Sequence, residues 1–142
     1  MNSIISRCSK LSIPFARLSL FVVYFWFGAL KLFDLSPANP LVSDLLSKTL
    51  PFISFETFIV LLGLFEIVIG ISFLFPKLLK FSVVLLVLHM ITTIMPLILL
   101  PQVTWSAPFA PTLEGQYIIK NLLIIAVALS LISHKHREVE LG

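Results

Sequence analysis

LLGLFEIVIG, residues Leu61–Gly70, places a single carboxylate, Glu66, in a run that otherwise holds only aliphatic, phenylalanine and glycine side chains. In a soluble core that would be a packing question; in lipid the charge is costly and asks for a partner. The solvent follows from the composition. With 58% hydrophobic and 12% charged residues over 142 positions, and a mean hydropathy of +1.08, the chain has too little polar surface to coat a soluble globule. It reads as an integral membrane protein. One span takes roughly 20 apolar residues, so the length accommodates about four spans with short connections and no separate soluble domain.

Working outward from Glu66, the second span covers about residues 55–75, bounded by Pro51 and Pro76. The first covers about 18–33, the third about 81–100 with Pro101 as its stop, and the fourth about 117–132. Aliphatic residues surround each run on all sides and period-2 alternation is absent, so all four read as α-helices. The expected fold is all-α: one domain over residues 1–142, an integral membrane four-helix bundle. The short PKLLK connection forces the second and third helices into an antiparallel pair. Between Pro40 and Pro51, Leu41, Leu45, Leu46 and Leu50 have partly helical spacing, which predicts a short amphipathic helix in the first outer loop.

Positive charge sets the orientation. Arg7, Lys10 and Arg17 precede the first span, Lys77 and Lys80 occupy the second turn, and Lys135 and Arg137 follow the fourth span. The first loop offers only Lys48 against Asp34 and Asp44, and the loop after Pro101 has no Lys or Arg. Both termini are therefore expected in the cytoplasm. The pI of 9.3 and the net charge of +3 reflect this anchoring bias, and no nucleic-acid partner is inferred from them. The basic start followed by an apolar run is read as a retained anchor rather than a cleaved signal, because no clean small-x-small site follows. The one cysteine, Cys8, excludes an internal disulfide and a C-x-x-C relay within one chain.

Depth brings the polar residues together. Glu66 lies about ten residues into its helix, roughly 15 Å at 1.5 Å per residue, near the bilayer midplane. His89 reaches the same depth on a helix running the other way. Gly63, Glu66 and Gly70 share one face, with small residues on either side of the carboxylate that permit a neighbour to come close. Tyr24, Gly28 and Lys31 share a face of the first helix; His89, Thr92, Thr93 and Pro96 one of the third; Tyr117, Lys120 and Asn121 one of the fourth. Four such stripes are expected to meet in the bundle interior. A lone charge at the bilayer centre costs about 2.5–3.5 kcal/mol on insertion scales, so Glu66 is expected to pair or to carry a proton.

Each residue has a structural alternative. Glu66 and His89 can be interhelical hydrogen-bonding glue rather than a working site. Lys31, near a helix end, is more simply a snorkelling anchor, whereas Lys120, deeper and beside Asn121, is the better functional candidate and a second possible partner for Glu66. Pro96 should kink the third helix, and Thr92 or Thr93 can compensate the carbonyl it frees. The loop from Pro101 to Gln116 is apolar and proline-rich and should fold against the bundle mouth, with Thr112 capping the fourth helix and Glu114 complementing its dipole.

FGALKLF in the first helix, GLFEIVIG in the second and PTLEGQYIIKNLLIIAVAL leading through the fourth resemble the DoxX-like family of small four-helix bacterial inner-membrane proteins, in the branch near the reactive-chlorine-resistance membrane protein. The resemblance extends over nearly the whole chain. Gly28, Lys31, Glu66, Gly70, Lys120 and Asn121 fall on the family's pattern. It implies a multi-pass protein of the bacterial inner membrane serving redox or oxidative-stress physiology, as an accessory or small-molecule-binding protein.

Three functions are weighed on this basis. The first binds quinone or a sulfur compound at a Glu66–His89–Lys120 pocket, as an accessory of a quinone-linked oxidoreductase. No cofactor is evident from the residues themselves, and no metal site is expected. A bis-histidine haem cannot be built within one chain, because His134 and His136 lie at the cytoplasmic end while His89 is central. The second is a non-catalytic interaction or assembly factor, as a homodimer or with a membrane oxidoreductase. The third is a small proton-coupled transporter with Glu66 as the proton carrier.

Overall fold

The computed structural model describes the backbone of residues 2–141 and the side chains of residues 11–136. Arg7, Cys8, Lys10 and Arg137 lie outside the residues whose side chains are described.

The fold is all-α, and among the described residues four helices are long and apolar enough to cross a membrane. In chain order the elements are α1 (Asn2–Leu32), α2 (Asn39–Thr49), α3 (Phe55–Leu74), a 3-10 turn (Pro76–Leu78), α4 (Leu79–Ile94), α5 (Pro96–Leu99), α6 (Pro101–Thr104), a two-stranded hairpin β1 (Trp105–Ala107) and β2 (Ala110–Pro111), and α7 (Leu113–Leu141). The four membrane helices are α1, α3, α4 with α5, and α7.

Local chemistry sets the boundaries. α3 starts where the Ser54 hydroxyl accepts from the Thr57 amide at 3.3 Å, with Glu56 in the first turn. It stops at Phe75, which Pro76 holds in an extended conformation at φ −98°, ψ 109°. α4 runs straight from the 3-10 turn and breaks at Met95, because Pro96 has no amide proton for the next helical bond and its ring crowds the carbonyl four residues back. At the start of α7 the Thr112 hydroxyl accepts from the Gly115 amide at 3.2 Å and donates to the Val103 carbonyl at 2.7 Å. That one side chain caps the helix and ties it to α6.

The helices run past the expected spans. α1 continues unbroken through Arg17, whose guanidinium reaches across to the Phe73 carbonyl at 3.1 Å in the last turn of α3. α7 begins at Leu113 rather than 117. The third span is interrupted just before Pro96, where the sequence predicts a kink, and so divides into α4 and α5.

α1 and α3 are antiparallel and in backbone contact. A Cβ on Gly28 would lie 2.6 Å from the Gly63 carbonyl oxygen, one on Gly63 would lie 2.8 Å from the Gly28 carbonyl oxygen, and one on Gly70 would lie 2.9 Å from the Phe25 amide nitrogen. Only glycine lets the two helices approach this closely. In lipid, where apolar burial gives no advantage over contact with acyl chains, such close contact is what holds helices together. α4 packs on α3, and α7 completes the bundle by turning Ile118, Ala128 and Leu131 inward.

One end of the bundle is basic. Arg17, Lys77, Lys80 and Lys135 gather around the α3–α4 turn, where Lys135 donates to the Pro76 carbonyl at 2.8 Å. The other end carries α2, the hairpin, Asp34, Asp44, Glu56 and Glu114. α2 forms in the loop where the leucine spacing predicts it, buries Leu46, and is fastened by Lys48 donating to the Leu99 carbonyl at 3.0 Å. The loop after Pro101 folds back as expected at its base, where Thr104 is fully buried and the Trp105 indole donates to the Leu97 carbonyl at 3.0 Å. Its tip does not: Phe109, at φ +61°, is 98% exposed.

Candidate functional site

Four side chains from three helices form one buried polar chain between α1, α3 and α4. Lys31 Nζ donates to Glu66 Oε2 at 2.6 Å, and His89 Nε2 lies 2.9 Å from Glu66 Oε1. The Tyr24 hydroxyl lies 3.5 Å from His89 Nδ1. Lys31, Glu66 and His89 are only 6%, 5% and 8% exposed. Each carboxylate oxygen therefore has its own buried partner.

The sequence positions this cluster through the glycine seam. Tyr24, Gly28 and Lys31 are spaced four and three residues apart, and Gly63, Glu66 and Gly70 three and four, so each polar side chain sits one turn from a glycine. Close approach at the glycines brings Lys31 within direct reach of Glu66. The same approach excludes a layer of water or lipid from between them.

His89 is clamped on every side. Its ring meets Tyr24 edge-on with centroids 5.3 Å apart, and Phe65 stands 6.2 Å away. The Thr92 and Thr93 hydroxyls each donate to the His89 carbonyl at 2.8 Å. They do not serve the carbonyl of Thr92, which is the one Pro96 leaves without a helical partner. The Thr93 hydroxyl also stands 3.3 Å from His89 Nδ1. Its proton is committed to the carbonyl, so it presents a lone pair to the ring, while the Tyr24 hydroxyl can donate there. A histidine donating through Nε2 to Glu66 thus finds an acceptor at Nδ1 when doubly protonated and a donor when neutral.

Lys120 is not part of it. Its side chain is exposed on α7, and its Nζ lies 4.8 Å from the centre of the Tyr117 ring, itself exposed. The expected Tyr117–Lys120–Asn121 stripe therefore does not reach the bundle interior, and a Glu66–Lys120 contact does not form. The reason is rotational: α7 presents Ile118 and Gly115 to its neighbours, which at 3.6 residues per turn puts Lys120 about 200° away from Ile118. Lys31, which the sequence reads as a snorkelling anchor, takes the place at Glu66 for which Lys120 is the candidate. It does not snorkel, since α1 ends one residue later under a folded loop rather than at free headgroups.

Asn121 is half-buried and lies apart from the cluster, as the only polar residue lining a groove between α4 and α7 formed by Ile94, Leu97, Ile118, Leu122 and Ile125 among others. Thr92 faces outward and Thr93 is half-buried. Tyr24 was placed on the right face by the sequence but not counted among the site residues; its i, i+4, i+7 spacing with Gly28 and Lys31 is the signal that assigns it. Trp26 and most of the phenylalanines face outward, whereas Phe73 is wholly buried in the core.

A quinone does not fit between Glu66, His89 and Lys120. The first two are spent on each other and on Lys31, and the third points away. The α4–α7 groove is apolar apart from the Asn121 amide. Among the described residues, no group of three or more His, Cys, Asp or Glu side chains is placed to hold a metal ion.

Comparison of this chain with protein-family models, with curated proteins and with solved structures finds no match.

Proposed function

We propose that this chain is a DoxX-like multi-pass protein of the bacterial inner membrane, with both termini cytoplasmic, that acts as an accessory protein in redox or oxidative-stress physiology. In this reading the Lys31–Glu66–His89–Tyr24 chain is a buried proton-holding site. The Asn121 groove takes an apolar carbonyl compound, with quinone as the candidate. The observation that carries the proposal is the pairing of both Glu66 oxygens inside the membrane, with a histidine that has partners in two protonation states. Ionisable groups at that depth are expensive to keep and mark proton sites more often than they mark plain packing. The basic end of the bundle supports the orientation. The redox setting rests on the family resemblance.

The test is difference infrared spectroscopy of the carboxyl region as pH is changed, on wild type and on Glu66→Gln, with and without a quinone analogue. A carboxyl band that moves with pH, is absent from Glu66→Gln and shifts when the analogue binds is the expected result. A band that never moves, with Glu66→Gln folding like wild type, reduces the cluster to glue.

A second reading, a non-catalytic interaction or assembly factor, is favoured by the exposed apolar tip around Phe109, which a partner subunit or a second copy would cover. Co-purification of a stable partner, lost on Phe109→Ser, would support it.

A further inference from the structure

The bundle is not equally polar above and below the cluster. Lys31 is the penultimate residue of α1, and the chain that follows folds directly over it: the Asp34 amide bonds to the Lys31 carbonyl at 3.3 Å and the Leu35 amide to the Leu30 carbonyl at 2.9 Å. This cover holds the buried Ser36, the exposed Asp34, and Asn39, whose Nδ2 donates to Asp34 Oδ1 at 2.6 Å. Asn39 Oδ1 is buried with no protein donor. A buried acceptor of this kind calls for water. On the α2 side, then, three polar residues, Asp34, Ser36 and Asn39, follow Lys31 within eight positions of the chain.

The other direction is apolar. Past Tyr24, toward the basic end, the interior consists of Leu20, Ile69, Phe73, Leu79, Leu86 and Leu131, none more than 2% exposed. Among the described residues the two buried hydroxyls in this half are already used, Ser72 on the Ile69 carbonyl at 2.7 Å and Ser82 on the Leu78 carbonyl at 2.9 Å. The next cation along α1 is Arg17, seven residues and roughly 10 Å from Tyr24 at 1.5 Å per residue, and it is bonded to the Phe73 carbonyl.

From this asymmetry we infer that the cluster exchanges its proton with one side of the membrane only, the side that carries α2 and the hairpin. This rests on the proton-site reading above and gives it a direction. Protons arrive at Lys31 and Glu66 from the loop over α1, His89 takes up or releases one, and the leucine and phenylalanine layer keeps the opposite compartment out. The groups facing His89 are Tyr24 and Lys31 from α1, directly or through Glu66, Glu66 and Phe65 from α3, and Thr93 from its own helix; α7 contributes Ile124 and Ala128 to the adjoining core. Among the described residues of α2 the charged ones, Asp44 and Lys48, are exposed. Such a site reports the state of one compartment to the protein and does not carry protons across.

The three histidines make the test direct, because His134 and His136 lie at the basic end. The full chain, labelled with nitrogen-15 histidine and reconstituted in one orientation into vesicles, is observed by solid-state NMR while the pH of each compartment is changed separately. The variant carrying both His134→Gln and His136→Gln assigns the remaining signal to His89. The His89 ring-nitrogen resonances are expected to shift with the pH on the α2 side and to ignore the other, while His134 and His136 do the reverse. A His89 signal that follows the basic-end compartment, or a pH difference that collapses through the protein, overturns the sidedness and leaves the proton site standing. A His89 signal that moves with neither compartment overturns both.

Discussion

The α1–α3 seam and the outward face of α7 treat the same side chain in opposite ways. Lys31 and Lys120 each lie toward the α2 end of a membrane helix. One is buried against a carboxylate at 2.6 Å, and the other is exposed beside a tyrosine ring. The difference lies in the neighbouring helix. Where glycines let a second backbone come into contact, a charge can be sealed in with its counter-charge; where the helix face meets lipid, the lysine must bend its stem toward the headgroups. A polar residue in a membrane helix is a site only if its rotation gives it a close neighbour.

The strongest challenge to this contrast is to leave Lys31 without its partner. Glu66→Leu strands the ammonium with the Phe27 carbonyl at 3.5 Å as its remaining acceptor, and is expected to cost about 3–5 kcal/mol, read as a lowered unfolding midpoint in mild detergent. Pairing it with Lys31→Met should recover most of that loss, and the double-mutant cycle then measures the coupling across the seam. If Glu66→Leu alone unfolds like wild type, the ion pair does not hold the seam.

Next in size is Gly28→Val, which drives a branched side chain into the Gly63 carbonyl and Ile67. A loss of about 1–3 kcal/mol is expected, and because the helices must part, the distance between Lys31 and Glu66 should grow as well. Cross-linking of a cysteine pair introduced across α1 and α3 checks both. Arg17→Met, at the far end of the same seam, removes a donor from the Phe73 carbonyl and should cost about 1 kcal/mol in the same unfolding assay.

Lys120→Leu should have the smallest effect. On the lipid-facing side of α7 it is expected to leave the unfolding midpoint and the infrared signature of Glu66 unchanged. A change in either would mean that α7 turns toward the cluster in the membrane, and the contrast between the two lysines would fail.

Much of this was legible in the amino-acid order. Composition settles the solvent, and run lengths with prolines set four membrane helices to within a few residues at most edges. The leucine spacing between Pro40 and Pro51 marks α2. Residue counts from the helix ends bring Glu66 and His89 to one depth, and the glycines beside Glu66 announce a close neighbour. These features are local or nearly so: hydrophobicity, the proline's missing amide proton, and a rise of 1.5 Å per residue act the same way whatever the helices pack against.

Which helix supplied the neighbour, and with which face, was decided only by the tertiary structure. Spacing alone gives every helix a polar stripe but does not say how far each helix turns about its own axis. Packing Ile118, Ala128 and Leu131 inward rotates Lys120 out, and locking Gly28 onto Gly63 rotates Lys31 and Tyr24 in. The same packing separates Asn121 from Glu66 and fills the half beyond Tyr24 with apolar side chains. Depth is a property of one helix, which a sequence can count; rotation and adjacency belong to pairs of helices and are set by side-chain fit between segments far apart in the chain.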